Sequence, residues 1–116
     1  MSTEYVLGND LEELLRLKLQ HDLWKSELIH LWNKSNLKNS KNILDLGCGP
    51  GFTTLDLLNY IDHKCQITAV DISEHFLNYL NSQKVKTEQT LVTHQSFIEK
   101  LELPQKNYEL QEFVQF

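Results

Sequence analysis

At 116 residues the chain has the length of one domain, enough to bury a modest core. Sixteen acidic residues against eleven basic ones give a formal net charge of −5, and the lysines are dispersed rather than striped, which argues against binding to a nucleic-acid backbone. The longest apolar runs fall far short of a membrane span and Met1-Ser2-Thr3-Glu4 does not open a signal peptide, so no membrane partner and a cytoplasmic location are expected.

The first element in chain order is helical. Asn9 with Glu12 reads as a capping box, and Leu11 opens an apolar pattern through Leu14, Leu15, Leu17, Leu19, Leu23, Trp24, Leu28, Ile29, Leu31 and Trp32. One long helix or two short ones carry it. The apolar positions exceed a single narrow stripe, so cover on more than one side is expected. Trp24 and Trp32 read as packing aromatics, and Arg16 and Gln20, one turn apart, as a solvated face. The connector from Asn33 to Asn42 is rich in Asn, Lys and Ser and reads as a loop and hinge. It separates an N-terminal segment, residues 1–36, from a second unit, residues 37–116.

Ile43, Leu44 and Leu46 then form a short buried strand that runs straight into Gly47-Cys48-Gly49-Pro50-Gly51. Glycine admits positive φ and lets the backbone lie against a ligand, and Pro50 suits the opening of a helix. That helix is expected from about Phe52 to Ile61, with Phe52, Leu55, Leu58 and Ile61 as the face towards a sheet. Gln66-Ile67-Thr68-Ala69-Val70-Asp71 is a second strand closing on a carboxylate. Ser73 is an N-cap for a helix to about Gln83 that buries Phe76, Leu77 and Leu80. Thr90–Gln95 is a third strand, and Tyr108–Phe116 a fourth. The order β-α-β-α-β argues for a parallel α/β sheet with right-handed crossovers.

The remaining polar groups offer no second chemistry. His21, His30, His63, His75 and His94 are scattered without ligand spacing, so no metal site is expected; Asp56, Asp62, Glu99 and Glu102 read as solvated charges. Cys48 and Cys65 read as reduced, structural thiols.

The spacing of the glycine turn decides among nucleotide binders. Gly-x-Gly-x-Gly followed by Phe52 lacks the third glycine position of the dinucleotide fingerprint and the Gly-Lys-Ser/Thr of a P-loop. Asp-Leu-Gly-Cys-Gly-Pro-Gly resembles the first motif of the class I S-adenosylmethionine-dependent methyltransferases, and Asp71, 20 residues after Gly51, supports the match. The resemblance runs from about Leu44 to Leu110. It implies a Rossmann-like, doubly wound parallel sheet with S-adenosylmethionine as cofactor. The turn residues Gly47, Cys48, Gly49 and Gly51 would pack on the amino-acid part of the cofactor, with Asp45 and Gly47 at its ammonium. Asp71 would take the two ribose hydroxyls, and Ile72 would lie against adenine. The residues before the first strand would form a lid, a role that Tyr5, Gly8, Arg16, Gln20 and Trp24 fit.

Two departures qualify what the resemblance implies. Where the family often has Gly-Asp, this chain has Ser96-Phe97, and Phe97 cannot accept a bond from the adenine amino group. The backbone N–H of Phe97 or Ile98 could still read the base and the phenyl ring pack on it; equally, Phe97 could be core. The family's sheet has seven strands, and only four are legible here, so the chain reads as truncated after about strand four. A fourth strand left at the edge with Leu110, Phe113, Val114 and Phe116 would favour self-association through the C-terminus. The expected function is therefore S-adenosylmethionine-dependent methylation of a small-molecule acceptor, with this chain supplying the cofactor-binding half and showing little activity alone. The alternatives are a catalytically silent binding module or fragment that needs a partner chain, and a domain for another nucleotide such as NAD. Catalytic residues are not assignable from the sequence.

Overall fold

The computed structural model describes residues 9–83, 88–100 and 109–112. Four parallel strands form one sheet: β1 (Asn42–Leu46), β2 (Gln66–Asp71), β3 (Thr90–Gln95) and β4 (Glu109–Glu112), in the order β3-β2-β1-β4. Helix α1 (Asn9–Lys34) precedes the sheet, α2 (Phe52–Tyr60) connects β1 to β2, and α3 (Glu74–Ser82) leads from β2 towards β3. This is a Rossmann-like α/β fold, and its strand order has a physical consequence. Successive strands step outward from β1 to β3 and the chain then returns to the other side of β1, so the order reverses at β1/β4. In open parallel sheets that switch point, at the carboxyl ends of the strands, is where ligands bind. The glycine turn leaves β1 there.

The buried strands read as near-continuous apolar runs because helices cover parallel sheets. Ile67, Ala69 and Val70 of β2 are fully buried, and Ile43 of β1 faces Ile67 in register. From α2, Leu57 and Leu58 close the core, with Ile61 just beyond the helix. Of the expected sheet face Phe52, Leu55, Leu58 and Ile61, Leu58 and Ile61 are buried, and Leu57, outside that set, is fully buried as well. Phe52 and Leu55 are only half-buried. Leu77 and Leu80 of α3 pack with Ala69 and Cys48, while Phe76 is half-buried. Ser73 caps α3 as expected, its hydroxyl accepting from the Phe76 N–H at 3.1 Å.

The N-terminal element is a single helix. Leu17, His21 and Trp32 are buried along one side, and Trp32 belongs to the same core cluster as Ile43 and Leu57. The capping role read for Asn9 depends on a side chain outside the described residues. Among the described residues cover on more than one side is not found: Leu15, Leu19, Leu23, Trp24 and Leu31 are each more than half exposed. The reason is geometric, since α2 and the sheet reach only one face of α1. The connector is more ordered than its composition suggests. Leu37–Asn39 form a 3-10 turn with Leu37 buried, and the Ser40 hydroxyl donates to the Asn36 carbonyl at 2.9 Å. Strand β4 pairs with β1 from Ile43↔Glu109 to Leu46↔Glu112. Phe113, Val114 and Phe116, read as part of an exposed edge, lie outside the described residues.

Candidate functional site

The turn after β1 is built from three glycines with positive φ: Gly47 (68°), Gly49 (56°) and Gly51 (93°). Its N–H groups are consumed within the fold. Gly47 and Cys48 both donate to the Val70 carbonyl, at 2.8 and 3.0 Å; Gly51 donates to the Cys48 carbonyl at 3.1 Å; Gly49 donates to Asp71 Oδ2 at 2.9 Å; Pro50 has none to give. A phosphate cradle requires free N–H groups pointing at the ligand. Its carbonyls are partly engaged as well, Cys48 accepting from the Gly51 N–H and Gly51 from the Leu55 N–H; a carbonyl keeps a second lone pair, so the turn's spare capacity suits a ligand that brings donors, such as an ammonium. The bare Cα of Gly51 serves packing: a Cβ there would lie 2.3 Å from Leu80 Cδ1.

Asp71 ends β2 with both carboxylate oxygens already in use. Oδ2 accepts from Gly49 and Oδ1 accepts from the Ser73 N–H at 2.8 Å. Each oxygen keeps lone-pair capacity, so two further donors can be accepted. The side chain therefore does two jobs, holding the glycine turn and the start of α3 while presenting acceptors at the strand ends. Next to it Ile72 is 52% exposed, and Phe97, just past β3, is 49% exposed. Phe97 is thus not core. Lys100 Nζ lies 5.5 Å from the centre of its ring. Ile98 opens a one-turn 3-10 helix, and its side chain lies outside the described residues.

Asp45 sits beneath the turn and is fully buried. Oδ2 accepts from the Thr54 hydroxyl at 2.7 Å, and Oδ1 has no partner among the described residues. Burial pushes its carboxyl up to about 7, against the lowering effect of the Thr54 bond and with a further upward push from the charge on Asp71. Burial likewise raises the thiols of Cys48 and Cys65, both free.

One cluster at the site was not anticipated. His21 of α1, 5% exposed, is hydrogen-bonded through Nε2 to Asp56 Oδ2 and through Nδ1 to the Thr53 hydroxyl at 3.3 Å. Lys25 Nζ stands 3.4 Å from the other Asp56 oxygen. The His21 ring stacks on Phe52 at 6.2 Å, and Lys18 Nζ lies 5.9 Å from the centre of the same ring. Asp56 is therefore not a solvated charge, and His21 is buried rather than the surface or half-buried histidine ordinarily expected on a helix. A helix-face histidine 35 positions from its carboxylate carries no local signature. The signal that was available is a histidine on the same face as Leu17 and Leu28.

The fold and this turn define a Rossmann-like domain with a carboxylate at the end of β2 and no phosphate cradle in its glycine loop. Comparison with known proteins agrees. A family model described as "Methyltransferase domain" matches residues 43–112, more than half of the chain. The chain belongs to the methyltransferase domain family, whose members in general use S-adenosylmethionine. It is similar to the tRNA1(Val) (adenine(37)-N6)-methyltransferase of Haemophilus influenzae, with 42% identity over 45 residues, covering 39% of this chain and 18% of that protein. The chain thus matches less than a fifth of that relative's length. No solved structure matches it. Among the described residues no helix is long and apolar enough to cross a membrane.

Proposed function

We propose that this chain holds S-adenosylmethionine at the carboxyl ends of β1, β2 and β3 and forms the cofactor-binding part of a methyltransferase acting on a small molecule. The observation that carries the reading is the hydrogen-bond state of the glycine turn. With the N–H groups of Gly47, Cys48, Gly49 and Gly51 spent internally, a pyrophosphate finds no donors in the turn, whereas the second lone pairs of its carbonyls can still accept from an ammonium. The same fact weighs against NAD.

In this reading Asp71 accepts the two ribose hydroxyls on its remaining lone pairs, and Ile72 and Phe97 supply apolar surface for the adenine ring. The backbone N–H of Phe97 or Ile98 replaces the family's acid in reading the base. Gly47, Cys48, Gly49 and Gly51 shape the wall against the amino-acid part, and Asp45 stands below that wall as a counter-charge. S-adenosylmethionine brings the reactive methyl on its sulfonium. The chain's contribution is positioning and exclusion of water. Residues 1–36 act as the lid over a cofactor unit formed by residues 37–116, and the side of β4 away from β1, unpaired among the described residues, takes a further strand, from a second copy or from another part of the protein.

The net charge of −5 favours a small acceptor. The tRNA substrate in the name of the Haemophilus relative supplies a second reading, an RNA acceptor. Calorimetric titration with S-adenosylhomocysteine and NAD tests the cofactor: affinity for S-adenosylhomocysteine should exceed that for NAD by at least about tenfold, on the order of one lost hydrogen-bonding group. Equal or tighter binding of NAD would overturn it. Retention of tRNA that weakens steeply between about 50 and 200 mM salt would favour the RNA acceptor.

A further inference from the structure

We propose that His21 is a positioning residue: with Asp56 and Thr53 it latches α1 to the first turns of α2 and so sets the wall against which the amino-acid end of the cofactor lies. This rests on the assignment of the glycine turn to that end. The argument starts from the seam between α1 and α2, which has two unlike ends. At the far end it is aromatic, with Trp32 on Tyr60 at 5.2 Å and the Tyr60 hydroxyl donating to Asn33 at 2.7 Å. At the near end it is polar, and every partner of His21 there lies within five residues of Gly51: Phe52, Thr53 and Asp56.

The partners define the state of the ring. A carboxylate only accepts, so Nε2 carries a proton towards Asp56, and in the neutral ring Nδ1 accepts from the Thr53 hydroxyl. Thr53 is joined in sequence to Thr54, whose hydroxyl holds Asp45 beneath the turn. The first turn of α2 is thereby tied on one side to α1 and on the other to β1. Removing the imidazole leaves the buried Thr53 hydroxyl without its α1 partner and leaves Asp56 with Lys25 on its other oxygen. The near end of α1, kept by buried Leu17 and the Lys25–Asp56 pair, is then held less firmly than the Trp32 end.

The test compares S-adenosylhomocysteine with adenosine, which lacks the amino-acid part, by calorimetry on the full chain. His21→Ala should weaken S-adenosylhomocysteine by about tenfold, the size of one lost hydrogen bond with its buried partner, and leave adenosine within about twofold. His21→Gln, which keeps a donor for Asp56, should recover part of the loss. Tyr60→Phe breaks the hydrogen bond at the far end and serves as the control for general loosening; it should change neither ligand selectively. Equal losses for both ligands with His21→Ala, or the same selective loss with Tyr60→Phe, would overturn the proposal. A wild-type chain that binds adenosine as tightly as S-adenosylhomocysteine would instead overturn the assignment of the turn, and the proposal with it.

Discussion

Asp45→Asn is expected to stabilise the ligand-free protein at pH 8 and to do nothing of the kind at pH 4. The wild-type carboxyl is fully buried, has one donor on Oδ2 and, among the described residues, none on Oδ1, and is pushed up to about 7 from an ordinary 3.8. The folded value lies above the unfolded one. Below about pH 4 both states are protonated and the group costs nothing. Between about pH 4 and pH 7 the folded chain holds a proton that the unfolded chain has lost, so stability falls as pH rises, and above about 7 the loss is complete. Three units correspond to about 4 kcal/mol as an upper bound. Asparagine keeps an acceptor for Thr54 and carries no charge. Chemical denaturation of both proteins from pH 4 to 8 should show a difference that grows with pH in favour of the substituted chain. A constant difference would show that Asp45 is ionised in the fold throughout.

Gly51→Ala should cost about 3 kcal/mol, a large share of the stability of a chain this size. Two causes add. A φ of 93° lies in the left-handed region, which costs a side-chain-bearing residue about 1–2 kcal/mol. The new methyl would also stand 2.3 Å from Leu80 Cδ1 and 2.9 Å from Leu80 Cγ, an overpacking of about 1–3 kcal/mol in a core without slack. A double-mutant cycle separates them. Leu80→Ala destabilises by itself, by about 2–5 kcal/mol, but makes room for the methyl. The double variant should therefore be more stable than the sum of the two losses, with only the backbone share of the Gly51 cost remaining. Strict additivity would mean that α3 can move away from the turn.

The parts of the molecule legible in the sequence are those whose cause is local. The strand into Gly47, the glycine turn, the Ser73 cap and the acid ending β2 each depend on residues within a few positions, and each is found where the pattern places it. The parts that were not legible depend on distant partners. His21 and Asp56 look like surface residues because nothing near either in sequence tells that α1 and α2 meet there. The leucines of α1 show the opposite limit: an apolar side chain announces a preference for cover, but Leu15, Leu19 and Leu23 have none from the described residues. Phe97 admitted two readings because an aromatic after an edge strand can turn in or out; it is half exposed. The structure also adds a role the sequence did not carry, since Asp71 holds the glycine turn through Gly49 as well as ending the strand.

That double role makes Asp71 the place to test the account. Calorimetric titration of S-adenosylhomocysteine into the wild-type chain and into Asp71→Asn should give micromolar binding, about −8 kcal/mol, for the first. For the second, affinity should fall by about thirtyfold or more, because an amide offers one acceptor oxygen where the carboxylate offers two to Gly49, Ser73 and the ribose. Undiminished binding by the substituted chain, or no binding by the wild type, would contradict the claim that the ends of β1 and β2 form a cofactor site.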